Sequence, residues 1–158
     1  MTFETFFDEH YEPVRRSLAV AFGDPVLAEE LAQDAFTRAL ASWRRVAQME
    51  RPAGWVYVVA LRAGRRRGRP GDALPAREGV SPDIADRVTH DVALGAAIAR
   101  LPERQRLALV LRYLADLPLA EVALAMDCAV GTVKSTLHAA LARLGVEMRE
   151  QEEPDAAR

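Results

Sequence analysis

Asparagine does not occur in this chain of 158 residues, lysine and cysteine occur once each, and isoleucine occurs twice. The single cysteine, Cys128, can form no internal disulfide, and it sets a reducing cytoplasm as the expected compartment. With two isoleucines, no Asn-Gly or Asp-Gly turn and no sustained period-two alternation, the signals of a β-hairpin fold are missing. No apolar run approaches the roughly 18–20 residues that a membrane-spanning helix needs. The first residues, MTFETFFDEHYEP, show neither the basic nor the apolar region of a secretory signal. His10, His90 and His138 are far apart and have no acids or cysteines at ligand spacing. Neither a metal site nor a catalytic triad emerges, so no enzyme and no cofactor is expected.

What is present is half apolar and 28% charged, enough for one mid-sized domain or two small ones. Mixed-sign charge and a mean hydropathy of −0.08 exclude wholesale disorder. The formal net charge of −2 argues at face value against a nucleic-acid binder. Its distribution argues otherwise. Residues 1–43 sum to −5, residues 44–77 to +7, residues 78–99 to −3, residues 100–145 to +2, and residues 146–158 to −3. Steering of a charged partner responds to the local field rather than to the total. The run Arg65, Arg66, Arg67, Arg69 reads either as a solvated helix end or as a phosphate-contacting patch.

Alanine and leucine dominate, and both favour helix. An all-α fold of two small domains on a flexible linker is expected, the second carrying a helix-turn-helix. The first helix spans about Thr2 to Phe22, with Phe3, Phe6, Phe7, Tyr11, Val14 and Leu18 on one face and Pro13 as a point of kinking or division. Gly23-Asp24-Pro25 forms a turn and starts a second helix with a cap and an N1 proline. That helix reaches about Trp43, with Leu27, Leu31, Ala35 and Leu40 at near-helical spacing. After a loop near 46–51, Pro52 opens a helix that runs into the arginine cluster. Residues 68–90, rich in Gly and Pro, read as a linker between a domain at 1–67 and one at 91–146, with an acidic, fraying tail at 147–158.

In the second unit, Leu94, Ile98 and Leu101 mark one helix and Pro102 starts another, with Leu107, Val110, Leu111 and Leu114 inward. A tight pair follows: a helix from about Pro118 to Met126, a turn near 127–129, and a helix from about Val130 to Leu144. Ala123 permits a close crossing, and Cys128 in the turn reads as a small packing residue. Val133, Leu137, Ala140, Leu141 and Leu144 form the apolar stripe of the last helix. Thr132, Lys134 and Ser135 lie in its first turn and His138 one turn on, where a recognition helix reaches bases and phosphates. The outward face has no acid between Gly131 and Gly145, as a helix lying against phosphates requires.

The stretch from Leu101 to Leu144, with LPERQR, LVLRYL, E-V-A at 121–123 and GTVKS at 131–135, resembles region 4 of bacterial extracytoplasmic-function (ECF) RNA polymerase sigma factors. The first unit resembles region 2 of the same family through FDEHYEPV at 7–14, AEELAQDAFTRAL at 28–40 and PAGWVYVVA at 52–60. The resemblance implies a factor that binds core RNA polymerase through its β′ clamp and β subunit and directs it to −10 and −35 promoter elements, helping to melt the DNA. It places Leu31, Gln33, Asp34 and Phe36 at the clamp, Phe36 as an anchor beside a polar rim; core is the competing reading of Leu31 and Phe36 and fits Leu31 equally well. In region 2 it points to Arg44, Arg45, Arg51, Trp55, Arg62, Arg65 and Arg66 for −10 DNA, with core as the competing reading of Trp43 and Trp55. In region 4 it sets Lys134, Ser135 and His138, beside Thr132, in the −35 major groove, with Arg112 and Arg143 on phosphates. Arg104 and Arg106 fit phosphate contact, solvation or pairing with Glu103. An anti-sigma partner is usual for the family.

Several positions depart from the family pattern. Thr136 and Ala139 stand where basic residues are usual, Asp127 replaces the turn glycine, and Ala129 the N-cap serine. Pro118 removes the capping-box partner of Glu121, and Arg62 replaces an asparagine. These changes weaken the expected −35 grip more than the fold. Two other readings follow: a sigma-shaped decoy that titrates an anti-sigma factor or polymerase, and a plain DNA-binding regulator, in which the acidic first unit has no role.

Overall fold

A computed structural model describes residues 1–67 and 92–156 of the chain. Among the described residues the regular structure is entirely helical. The linker expected at 68–90 lies outside them, as does Arg69.

Helix α1 (Phe3–Phe22) is continuous through Pro13 rather than divided there. Thr2 caps it by accepting from the Thr5 amide, and Gly23, at φ 65°, ends it in the left-handed region. The Ser17 hydroxyl donates to the Pro13 carbonyl at 2.9 Å. Helix α2 (Pro25–Ala41) starts where Asp24 Oδ1 accepts from the amides of Val26 and Leu27 at 3.0 and 3.1 Å, with Pro25 in the first turn. A single turn, α3 (Trp43–Val46), and the bend at 47–51 lead to α4 (Pro52–Arg67).

Helices α1, α2 and α4 enclose Phe6, Val14, Leu18, Leu31, Phe36, Val56, Tyr57 and Leu61. Phe3, Phe7, Tyr11 and Trp43 ring Phe6 and Phe36, with ring centroids 4.6–6.1 Å apart. Gly64 allows α4 to approach α1 and α2 closely: a Cβ there would collide with the Phe22 ring and come within 2.9 Å of Leu31 Cδ1.

The second half begins with α5 (Val92–Arg100) and α6 (Glu103–Leu109). Helix α6 runs directly into a π-helical turn at Val110–Leu114, where the Ala115 amide reaches the Val110 carbonyl at 3.0 Å. Asp116, at φ 53°, turns the chain, and the Arg112 guanidinium donates to the Leu117 carbonyl at 2.9 Å across that bend. Helix α7 (Leu119–Met126) ends at Asp127 in the left-handed region at φ 51°, a geometry aspartate tolerates better than most residues. Helix α8 (Val130–Ala156) continues well past Leu144, because Glu, Met, Arg and Gln in the acidic segment all favour helix.

Two positions expected to face inward do not. Leu40 is 55% exposed on α2 and Leu141 is 47% exposed on α8, while Val133, Leu137, Ala140 and Leu144 are buried. Both exposed leucines lie off the buried stripe of their helix.

The halves pack together. One apolar core runs from α1, α2 and α4 into Leu107, Val110, Leu111, Leu117 and Val122. A smaller cluster joins Ala97, Ile98, Leu101, Leu109, Ala140 and Leu144, with Val20 of α1 against it. Arg106 crosses the seam: its Nε donates to the Ala21 carbonyl in the last turn of α1 at 2.7 Å, and one Nη donates to the carbonyls of Ala99 and Leu101 at 3.2 Å. Carbonyls in the last turn of a helix lack intrahelical partners, so this arginine caps α1 and α5 together.

Candidate nucleic-acid interface

On α8, buried Val133, Leu137 and Ala140 alternate with exposed Thr132, Lys134, Ser135, His138, Ala139 and Arg143. The helical period therefore separates a face pressed on α6 and α7 from a solvent face that begins in the first turn. The Ser135 hydroxyl donates to the Thr132 carbonyl at 3.0 Å and the Thr136 hydroxyl at 2.7 Å. Each then keeps lone pairs free as acceptors. Lys134 is the one lysine of the chain and stands on this acid-free face. Arg112 is half-buried at the π turn, and its guanidinium donates to the Leu117 carbonyl.

In the first half, Arg44 and Arg45 are exposed on α3, and Arg51 is exposed in the bend before α4. Arg62, Arg65 and Arg66 lie on the C-terminal half of α4. Trp55 is half-buried, packed against the core on one side. On the other it lines a cavity of about 390 Å³ shared with Met49, Arg51, Val58, Arg62 and Leu124. Trp43 belongs to the aromatic cluster. The structure thus brings Arg51, Trp55 and Arg62 to one depression and sets Arg65 and Arg66 beside it around a second cavity, also of about 390 Å³.

Several of these arginines are engaged by the second half. An Arg62 Nη donates to the Leu124 carbonyl at 2.8 Å and to Asp127 Oδ1 at 3.2 Å. Arg65 lies 3.9 Å from Asp127 Oδ2, and Arg51 Nε lies 3.9 Å from Glu121 Oε1. Arg67 instead pairs within the first half, with Glu30 at 3.0 Å. Glu121, having lost its capping-box partner to Pro118, faces Arg51 and Gly54.

On α2, Gln33 is exposed and Asp34 half-buried, the latter pairing with Arg38 at 3.3 Å. Leu31 (0% exposed) and Phe36 (2%) are core side chains and present no surface to a partner. The exposed apolar groups of this helix are Val26, at 65%, and Leu40. The near-helical spacing marks neither as a surface group and sets Leu40 inward, whereas the packing leaves both exposed.

Burial lowers the Arg106 pKa from its ordinary value, Glu103 opposing in part, but the group remains a cation held by backbone carbonyls. This removes Arg106 from the candidates for phosphate contact and leaves Arg104 exposed beside it. Burial raises the Tyr57 pKa, and the Ser17 hydroxyl, 3.3 Å away, acts in the opposite sense. Among the described residues no group of three or more His, Cys, Asp or Glu is placed to hold a metal ion.

Residues 6–69 match the family model for Sigma-70 region 2, and residues 91–144 match that for Sigma-70 region 4. The chain is 32% identical over 132 residues to an RNA polymerase sigma-E factor of Streptomyces antibioticus, covering 79% of this chain and 72% of that protein. It is 29% identical over 155 residues to an RNA polymerase sigma-E factor of Streptomyces coelicolor (94% and 86% covered). It is also 29% identical over 153 residues to an ECF RNA polymerase sigma factor RpoE of Cereibacter sphaeroides (89% and 83%). Among solved structures, a sigma factor RpoE of Bartonella quintana, in complex with the anti-sigma factor NepR, shares the fold. The TM-score is 0.69 at 21% identity, covering 93% of this chain and 96% of that one.

Proposed function

We propose, from the premise that this chain belongs to the extracytoplasmic-function family of RNA polymerase sigma factors, a division of its promoter-directing task between the two halves. A region 2 unit at 1–67 docks on core polymerase and handles the −10 element, and a region 4 unit at 91–146 reads the −35 element. The observation that carries this reading is the solvent face of α8, where Thr132, Lys134, Ser135, His138 and Arg143 form an exposed row without an acid. Lys134 and Arg143 neutralise phosphates, and Thr132, Ser135 and His138 supply hydrogen bonds to base edges.

In the first unit, Arg51 and Arg62 share a depression with Trp55, Arg65 and Arg66 follow along α4, and Arg44 and Arg45 are exposed on α3, a basic belt that suits a separated strand. Guanidinium forks grip phosphate bidentately, and an aromatic face adds about 1–3 kcal/mol per stacked base. For core polymerase, Gln33 and Asp34 supply a polar rim, and Val26 and Leu40 supply apolar anchors. An anti-sigma factor is the expected regulator, and no catalytic chemistry is assigned to the chain.

The test is selection of genomic DNA fragments by the chain assembled with core polymerase. Fragments sharing a pair of spaced motifs are expected. No enrichment over core polymerase alone, with core binding intact, would replace this reading by that of a decoy. Thr136 and Ala139, where basic residues are usual, are what favour that second reading.

A further inference from the structure

The two cavities on α4, each of about 390 Å³, share Arg62 and differ in character. The first is lined largely by apolar groups, Met49, Trp55, Val58 and Val59 together with Leu124 of α7. Its charges cancel, since Arg51 and Arg62 stand against Glu50 and Glu121. The second is lined by Arg62, Arg65 and Arg66 with Asp127 as its acid, which leaves an excess of positive charge. An apolar, neutral hollow joined to a cationic one suits a single ligand with two unlike ends.

The side chains are placed for such a ligand. Trp55 is half-buried, held by the core on one side and lining the first cavity on the other. An aromatic face fixed in this way is a stacking surface for a planar ring. Arg62 is held between the cavities, an Nη donating to the Leu124 carbonyl at 2.8 Å and to Asp127 Oδ1 at 3.2 Å. Arg65 is held only loosely, 3.9 Å from Asp127 Oδ2. Arg66 is exposed and pairs with no acid among the described residues. Both can therefore turn guanidinium forks toward a phosphate.

The spacing narrows the class of ligand. Residues of an α-helix rise by about 1.5 Å each, so Arg65 lies about 15 Å along α4 from Trp55. Long side chains lean back toward the N-terminus, which brings the guanidinium groups to roughly 10 Å from the indole. An aryl carboxylate carries its charge too close to its ring to reach both. A nucleoside di- or triphosphate has a planar base at one end, a sugar between, and a chain of anionic groups at the other.

We propose that α4 and α7 form a binding site for a free nucleoside di- or triphosphate. The base stacks on Trp55 beside Val58, Val59 and Leu124, and the phosphates lie on Arg62, Arg65 and Arg66. This goes beyond the promoter-directing role, in which the same arginines meet a DNA strand: the ligand here is a small molecule.

The full chain, without DNA or polymerase, is titrated with ATP, GTP, AMP and inorganic tripolyphosphate by isothermal titration calorimetry. ATP and GTP should bind about tenfold or more tightly than AMP, which is too short, and than tripolyphosphate, which has no ring. Tripolyphosphate or AMP binding as tightly as ATP would overturn the proposal, as would no binding of either triphosphate at millimolar concentration. Arg66→Gln removes an exposed cation and should weaken ATP binding by roughly threefold to tenfold. Arg38→Gln on α2 removes the same charge outside both cavities and should stay within about twofold of the parent. Equal weakening in the two variants would reduce the effect to net charge and refute the site. In ¹H–¹⁵N spectra the Trp55 indole signal should shift on addition of ATP, and that of Trp43, inside the aromatic cluster, should not. An unmoved Trp55 signal contradicts the proposal. A chain that binds no nucleotide can still select promoters, and one that binds them can fail to, so the two readings fall separately.

Discussion

Arg106 gives the sharpest quantitative expectation. Its guanidinium makes one short bond, 2.7 Å to the Ala21 carbonyl, and two longer ones of 3.2 Å to Ala99 and Leu101. Replacement by methionine keeps an apolar stem of similar reach and removes all three donors. Hydrogen bonds involving a charged group contribute about 1.5–3 kcal/mol, and a buried carbonyl left unpaired costs a further 1–3 kcal/mol or so. Against this, the buried cation no longer has to be desolvated, the cost that lowers its pKa. The balance for Arg106→Met is a loss of about 2–3 kcal/mol. For a chain of this size that lowers the unfolding midpoint by about 5–10 °C, read by far-UV circular dichroism. Arg104→Met, one turn-face away and exposed, should stay within about 0.5 kcal/mol of the parent. An Arg106→Met midpoint within about one degree of the parent would refute the capping role.

Three further outcomes follow from particular contacts. Lys134→Ala should weaken promoter binding by the polymerase-bound chain and reduce the slope of log affinity against log salt by about one; an unchanged slope would move the phosphate contact elsewhere. Gly64→Val should destabilise the chain by about 1–3 kcal/mol in urea unfolding, since its side chain enters the space of Phe22 and Leu31. The Tyr57 pKa is raised above its ordinary 10.0 by burial, so the unfolded chain loses that proton first. The Tyr57 contribution is therefore complete below pH 10.0 and is lost as pH rises beyond it, and Tyr57→Phe should flatten the alkaline fall in stability.

The elements most legible in the sequence were those set by local chemistry. Gly23-Asp24-Pro25 specifies a stop, a cap and a start within three residues, and the structure uses each. The period of Val133, Leu137, Ala140 and Leu144 defines the buried side of α8 and hence its free side. Pro13 does not divide α1, whose backbone stays helical through it, with the Ser17 hydroxyl donating to the Pro13 carbonyl.

What stayed hidden depends on partners distant in sequence. Nothing near Arg62 signals that Asp127 and Leu124 will meet it, and nothing near Arg106 signals Ala21. The resemblance to region 2 implies polymerase contact for Leu31 and Phe36, yet burial directs them inward and leaves Gln33, Val26 and Leu40 on the surface. A helical wheel cannot separate a core leucine from an anchor when both lie near the edge of the apolar stripe. Only the packing of α1 and α4 on α2 draws that line.

A chain that directs polymerase to promoters through two reading units must change where transcripts begin. The most direct measurement is the mapping of transcript 5′ ends made by core polymerase on genomic DNA with and without the chain. Start sites that appear only with the chain and share paired upstream motifs at fixed spacing are the expected result. The same scattered ends with and without it, while the chain remains bound to polymerase, would contradict the account.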